Sequence, residues 1–137
     1  VVQLFACSYC WYTPRHPDPD GHQFRLLAKV IKLRLDESLM PLEDLAVFID
    51  WGSLYQKPRS ELQTLSFTKG LRHVSIWYAH KRILVVQLTR EVLGITPYSR
   101  RGWPTFEKAV SSLLKDSGSL LDIGQIQDVC NSWNSLR

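Results

Sequence analysis

The sequence lacks several features that would indicate a class of protein directly. No run of eighteen or more apolar residues is present, so we expect no membrane-spanning helix. No glycine-rich phosphate loop is present either, which argues against a P-loop and against a dinucleotide-binding fingerprint. The formal net charge of +4 is modest, and the Lys and Arg residues are scattered along the chain. We therefore expect no specific nucleic-acid partner, and nucleic-acid binding through a basic first helix is the minor alternative.

Cysteine is scarce: the chain has three cysteines, which are too few for a disulfide framework. Cys7 and Cys10 form a C-x-x-C motif, a spacing that is found in redox and zinc sites. A redox motif of the thioredoxin type needs a helix that begins at the first cysteine, whereas a proline-rich stretch follows here. A zinc site needs four ligands, and only Cys130 and dispersed histidines remain to supply them. We expect two reduced cysteines near a strand end, and no metal site.

The composition is that of an ordinary globular protein, with 137 residues of which 45% are hydrophobic and 22% are charged. One domain over residues 1–137 is expected. The chain begins with an apolar run typical of a strand, without an initiator Met or the charged start of a signal peptide. We expect a fragment of a longer chain or a processed product. An intracellular location is expected, and the missing Met is compatible with import into an organelle.

Apolar runs alternate with segments of helical periodicity along the chain. The apolar runs predict four strands, at residues 3–9, 46–50, 83–88 and 120–123. Apolar residues at helical spacing predict helices at residues 24–35, 67–79, 104–114 and 125–136. Two capping boxes are predicted before helices, at Asp20 with Gln23 and at Ser60 with Gln63. Pro104 predicts the start of the third helix, which places Glu107 in its first turn.

This alternation of strands and helices predicts an α/β domain with a parallel sheet. In such folds the ligand crevice lies at the carboxyl ends of the strands. The same edge of the sheet would then receive residues 8–11, residues 50–56, the loop from Thr89 onward and residues 98–107. The last of these segments holds two arginines, a tryptophan and a carboxylate within ten positions. We therefore expect it to lie at the crevice.

Several segments resemble the TIR-like superfamily, including its relatives in the HET (heterokaryon-incompatibility) domains. Residues 46–50 and the following Gln56 resemble the HET pattern of an apolar strand, Ile-Asp and a nearby Gln. Residues 67–79 resemble the helix that follows in that family. Residues 101–107 resemble both the HET Arg-Gly-Trp segment and the TIR Trp-x-x-x-Glu signature. The first strand is similar to the opening strand of TIR domains.

The resemblance implies a three-layer, flavodoxin-like fold with a central parallel sheet of four to five strands. The chain departs from the family pattern at three points. TIR domains usually carry Cys after the tryptophan, where this chain has Pro104. The proline-rich loop at residues 14–19 is longer than the usual first loop, and the sequence ends before a complete five-stranded sheet is evident.

The resemblance also implies that Glu107 is the catalytic residue for cleaving the nicotinamide–ribose bond of NAD. A carboxylate suits this task because cleavage of an N-glycosidic bond develops oxocarbenium character at the sugar carbon. NAD would be the substrate, and no cofactor is expected. Arginines would contact the pyrophosphate, aromatic side chains would stack on the bases, and serines would contact ribose hydroxyls. The residues implied for nucleotide binding are Arg100, Arg101, Trp51, Trp103, Ser8 and Ser53.

Each of these roles has a structural alternative. Glu107 would serve only to balance the dipole at its helix start, the arginines would be solvated surface, and Trp103 would anchor a helix to the sheet. The alternative function is a non-catalytic TIR-like interaction module, either a signalling adapter or a subunit of a larger assembly. Protein partners or self-association are expected, and the candidate interface aromatics are Trp11, Tyr12, Trp51 and Trp133.

Overall fold

A parallel sheet of four strands organises the fold. The computed structural model describes residues 2–37, 44–126 and 132–136. The strands are β1 (Val2–Tyr9), β2 (Asp44–Phe48), β3 (Ile83–Leu88) and β4 (Leu120–Asp122), in the spatial order β2-β1-β3-β4. All three pairings are parallel. This is the flavodoxin-like strand order, and it confirms the predicted α/β class with a central sheet of four strands.

The helices follow the strands in alternation. They are α1 (His22–Asp36), α2 (Asp50–Ser53), α3 (Glu61–Ala79) and α4 (Gly102–Leu114), with short 3-10 helices at Tyr98–Arg100, Ser117–Ser119 and Asn134–Leu136. Within the described ranges, no helix is long and apolar enough to cross a membrane.

The alternation of side chains along β1 separates the helices into two layers. Residues at odd positions of β1, such as Phe5, belong to a core cluster with Leu27 and Val30 of α1. The next residue, Ala6, points to the opposite face and belongs to a cluster with Val74 of α3. Helix α4 packs beside α3 on that second face. The sheet therefore lies between α1 on one side and α3 with α4 on the other.

The two predicted capping boxes have opposite outcomes. The one at Ser60 and Gln63 is confirmed, because the Ser60 side chain accepts from the Gln63 amide and the Gln63 side chain accepts from the Ser60 amide. The one at Asp20 and Gln23 is wrong. Helix α1 begins at His22, and the buried Asp18 accepts a hydrogen bond from the amide of Phe24 at 2.8 Å. The proline-rich loop folds back against the helix start, so the capping carboxylate comes from two residues earlier in the chain.

Helix α4 begins two residues earlier than predicted. It starts at Gly102, so Pro104 is its third residue and Glu107 lies in the second turn. Proline is tolerated throughout the first turn because none of those amides has a partner within the helix. Pro104 therefore indicates the first turn of α4 correctly, but it is not the first residue of the helix. This position also removes the helix-dipole role for Glu107, since that effect is confined to the first turn.

The C-terminal residues pack on the α1 side of the sheet. Trp133 is buried, with its ring edge-on to Phe5 at 6.4 Å between centroids, and its amide donates to Glu37 at 2.9 Å. The burial overturns the prediction that Trp133 belongs to an exposed interface. Residues 127–131 of the predicted final helix lie outside the described residues. At its described positions the prediction of an α-helix is wrong, because residues 125, 126, 132 and 133 are not helical and Asn134–Leu136 form a 3-10 helix.

Substitution of Gly124 tests how β4 is joined to the sheet edge. A Cβ atom at this position would lie 2.3 Å from the backbone nitrogens of both Thr89 and Arg90, which cannot move as a side chain can. We expect Gly124→Ala to lower the free energy of unfolding by about 1–3 kcal/mol, measured by chemical denaturation. Gly52→Ala is the matched control, because a Cβ there meets nothing within 4 Å. Equal stability of the two variants would contradict this account of the β4 junction.

Candidate active site

A cleft of about 430 Å³ opens at the carboxyl edge of the sheet, where the sequence predicts a crevice. Its walls come from the end of β1, the start of α2, the middle of α3 and the first turns of α4. The lining residues that carry charge or aromatic rings are Tyr9, Trp11, Asp50, Arg101, Trp103 and Glu107. The volume falls in the range of small-molecule sites.

Glu107 is held in the cleft by contacts to the central strand. Only 2% of its surface is exposed. The hydroxyl of Ser8, fully buried on the face of β1 that meets α3 and α4, donates to Glu107 Oε2 at 2.5 Å. The same Ser8 oxygen lies 2.6 Å from the hydroxyl of Tyr98, which the 3-10 helix before α4 carries. The contact with Ser8 therefore fixes the Glu107 carboxylate against β1, and the carboxylate also lines the cleft.

A directed chain of hydrogen bonds leads from β3 to Glu107. Gln87 pairs in register with Ser8, and its Nε2 donates to the Tyr98 hydroxyl at 3.3 Å. An amide nitrogen can only donate, and an ionised carboxylate can only accept. The Tyr98 hydroxyl must therefore donate to Ser8 when Ser8 donates to Glu107. Every proton in the chain then points toward the carboxylate, which favours its ionised form.

Opposing effects set the pKa of Glu107 to about 7 instead of 4.5. Burial is the largest effect and raises the pKa, because it penalises the charged form. The hydrogen bond from Ser8 lowers it, as do the neighbouring Tyr78 and Trp103 side chains, and the negative charge of Asp50 raises it. Both protonation states of Glu107 are consequently accessible near neutral pH. A carboxylate with this pKa suits general acid–base chemistry or stabilisation of a developing cation.

Asp50 is the second carboxylate of the cleft, at the start of α2. It accepts hydrogen bonds from the Tyr9 hydroxyl at 2.5 Å, from Trp11 Nε1 at 3.2 Å and from the Trp51 amide at 2.6 Å. Burial and the Asp50 charge raise the pKa of Tyr9, so the phenol keeps the proton that it donates. Asp50 thus supplies a fixed negative charge to the cleft, and its oxygens also hold the ends of β1 and β2 together.

Three residues of the predicted site lie at Glu107. Arg101 and Trp103 line the cleft with it, and 42% of the Trp103 surface is exposed. Arg101 is positioned by a hydrogen bond from its Nε to the Thr96 carbonyl at 3.1 Å. Ser8 is present too, but below the carboxylate and fully buried. Its contact is with Glu107, and the predicted contact with a ribose hydroxyl is not supported by that position.

The other three predicted residues do not line the cleft. Arg100 is exposed on the 3-10 helix and does not line it. Trp51 packs edge-on against His16, with 4.5 Å between ring centroids. Ser53 accepts a hydrogen bond from the Ile49 amide at 3.1 Å and borders a separate apolar pocket. Residues 50–53 form a helical turn, which rotates successive side chains by about 100°, so Asp50 alone of these faces the cleft.

Sequence reasoning missed Tyr98 and Gln87 as site residues. Gln87 gave a signal, because it is a polar residue inside the otherwise apolar strand β3 and is buried there. A buried amide needs a hydrogen-bond partner, and Tyr98 supplies it. No sequence pattern indicates that Tyr98 contacts Ser8, because this contact depends on how the 3-10 helix packs against β1.

The described residues contain no group of three or more His, Cys, Asp or Glu side chains that could hold a metal ion. Cys7 and Cys10 are buried free thiols. Burial is the largest effect and raises the pKa of both. The charge of Glu107 raises both further, and for Cys10 the charge of Arg101 partly opposes the increase. A protonated thiol is a poor nucleophile, so these two residues offer no reactive centre beside Glu107.

The raised pKa of Glu107 predicts a pH dependence of stability. Because the folded-state pKa of about 7 exceeds 4.5, the folded state binds the proton more tightly than the unfolded state does. The contribution is fully present below pH 4.5 and is lost as the pH rises to 7, a change of about 3 kcal/mol. Glu107→Gln should remove this fall, measured by denaturant unfolding at several pH values. Glu91→Gln, at an exposed position, is the control, and an unchanged pH profile in Glu107→Gln would contradict the pKa.

Removal of the Tyr98 hydroxyl tests the directed chain. Without it Ser8 loses the donor that orients its own proton toward Glu107, so the ionised form loses support. We expect Tyr98→Phe to raise the pKa of Glu107 by up to about one unit, measured by carbon-13 NMR titration of the side-chain carboxyl. Tyr55→Phe, on an exposed tyrosine, should leave it unchanged. A lower pKa in Tyr98→Phe would mean that the chain runs in the opposite direction.

Comparisons of the chain with protein-family models, with curated proteins and with solved structures gave no match.

Proposed function

We propose that this chain is a TIR-like domain that hydrolyses the nicotinamide–ribose bond of NAD, with Glu107 as the catalytic carboxylate. The observation that carries the proposal is the placement of Glu107. It is a buried carboxylate, held by the Ser8 hydroxyl at 2.5 Å, at the wall of a cleft large enough for a small molecule. Buried groups with strongly shifted pKa values, located in clefts, are enriched at functional sites.

The chemistry follows from what an ionised Glu107 does. The bond between the ribose C1′ and the nicotinamide nitrogen breaks, and its electron pair leaves with the ring as neutral nicotinamide. The sugar carbon gains oxocarbenium character, which the Glu107 carboxylate stabilises through its charge. Water then forms the new C1′–O bond, and its proton passes through Glu107 to solvent. The products are ADP-ribose, nicotinamide and one proton, so the reaction needs no further reactant.

The other lining residues fit a nucleotide. Trp11 and Trp103 present aromatic surface for stacking, and Arg101 presents a cation for phosphate oxygens. Asp50 adds a second negative charge that favours the cationic nicotinamide ring before cleavage and the oxocarbenium ion during it. The cleft thus combines aromatic surface, one cationic side chain and two carboxylates, which are the groups that a dinucleotide with a cationic ring requires.

The proposal predicts nicotinamide release that depends on Glu107. Purified protein should release nicotinamide from NAD, assayed by chromatography over a range of protein concentrations so that any requirement for self-association is met. Glu107→Gln should lower the rate at least about 100-fold, while the exposed control Glu91→Gln should not. Because the ionised carboxylate is the active form, the rate should rise with pH through about 7. Folded wild-type protein that releases no nicotinamide at any concentration would refute the proposal.

The second candidate function is a non-catalytic interaction module that binds protein partners or a second copy of the chain. The observation that favours it is the exposure of Leu62 and Leu65, one turn apart on α3, at 77% and 66%. Exposed leucines at that spacing form an apolar strip that suits a protein contact. Two of the predicted interface aromatics do not belong to such a strip, because Trp11 donates to Asp50 and Trp133 is buried.

A further inference from the structure

A second, smaller cavity adjoins the Glu107 cleft. Its volume is about 190 Å³, and it shares Trp11, Asp50, Leu71 and Trp103 with the larger cleft. The rest of its wall comes from the loop after α2 and from the middle of α3. Because four residues are common to both, the two cavities are compartments of one site. We call the smaller one the Arg59 compartment.

Arg59 supplies the positive charge of this compartment. Its Nε donates to the Tyr55 carbonyl, and its guanidinium lies over the Phe67 ring at 3.5 Å from the centroid. These two contacts hold the group in place at the cavity wall. A guanidinium has five N–H donors in a planar fork, and in the described part of the chain only the Nε donor has a partner. The terminal nitrogens are therefore suited to bind an anion.

Two other polar side chains of the compartment, Gln56 and Asp50, already make hydrogen bonds within the protein. Gln56 Nε2 makes contacts of 2.9 to 3.4 Å with the carbonyls of Asp50, Trp51 and Leu54. Both oxygens of Asp50 accept from neighbouring groups. The remaining walls are aromatic and aliphatic, including Phe67 and Val74. One cation beside apolar and aromatic surface matches a flat base that carries a phosphate.

We infer that the Arg59 compartment binds the nucleoside 5′-monophosphate half of a dinucleotide, with Arg59 contacting its phosphate. Glu107 would then meet the ribose of the other half in the larger compartment. Arg59 and Arg101 lie one in each compartment, so together they can flank a pyrophosphate that crosses from one to the other. Arg59 thus takes the role that the sequence assigned to Arg100. The inference rests on the proposed function for the identity of the bound dinucleotide.

Binding of AMP and adenosine to the protein, measured by titration calorimetry, tests the compartment without any catalysis. We expect AMP to bind at least about tenfold more tightly than adenosine, since the phosphate adds a charge-assisted contact. Arg59→Gln should abolish this preference, and Arg59→Lys should keep part of it because the charge remains. Arg72→Gln, on the exposed face of α3, is the matched control for the loss of one positive charge. Equal affinities for AMP and adenosine, or an unchanged preference in Arg59→Gln, would overturn the inference.

Hydrolysis assays separate this inference from the proposed function. If both hold, Arg59→Gln lowers kcat/KM for NAD about tenfold or more but leaves nicotinamide mononucleotide, which lacks the second half, unchanged. Glu107-dependent hydrolysis that Arg59→Gln does not affect would refute the compartment and leave the proposed function intact. Binding of AMP through Arg59 without any nicotinamide release would support the compartment as a nucleotide site and refute the hydrolase.

Discussion

The hydrogen bond between Ser8 and Glu107 is the contact on which the site depends. It joins the central strand to α4, two elements that are separated by ninety-nine positions in the chain. The Ser8 hydroxyl offsets part of the cost of burying the Glu107 carboxylate against β1, since an unpaired buried charge would cost several kcal/mol. The same contact places the carboxylate at the wall of the cleft.

The hydrogen bond does not fully offset the penalty for burying the charged form of Glu107. The Ser8 hydrogen bond and the neighbouring Tyr78 and Trp103 side chains lower the pKa of Glu107, yet burial outweighs them and the pKa remains near 7. A fold selected for stability alone would place an apolar side chain here, because a hydrophobic residue of similar volume fills such a position without a desolvation penalty. Gln87 and Tyr98 add further buried polar groups around the same point. A polar network of this kind at a cleft wall is easier to explain by function than by stability.

The sequence predicts the strands and the location of the site better than it predicts the site residues. Strand β3 and the edge that holds residues 101–107 follow from apolar periodicity and from the rule for parallel sheets, which are local or general properties. The inward orientation of Asp50 and the outward orientation of Ser53 depend on a single helical turn after β2, which four residues do not specify alone. The Ser8 role depends on long-range packing. Gln87 is the exception, because a polar residue in an apolar strand already indicates a buried partner.

Pro104, the departure from the TIR signature, removes no group that the proposed chemistry uses. It is buried at the wall of the cleft, in the first turn of α4. An ordinary residue there would present an amide without a partner inside the helix, whereas proline has no N–H to satisfy. The Glu107 carboxylate accepts its hydrogen bond from Ser8, so its support does not involve position 104. An apolar ring at this wall also lowers the polarity around the carboxylate, which strengthens its electrostatic interactions.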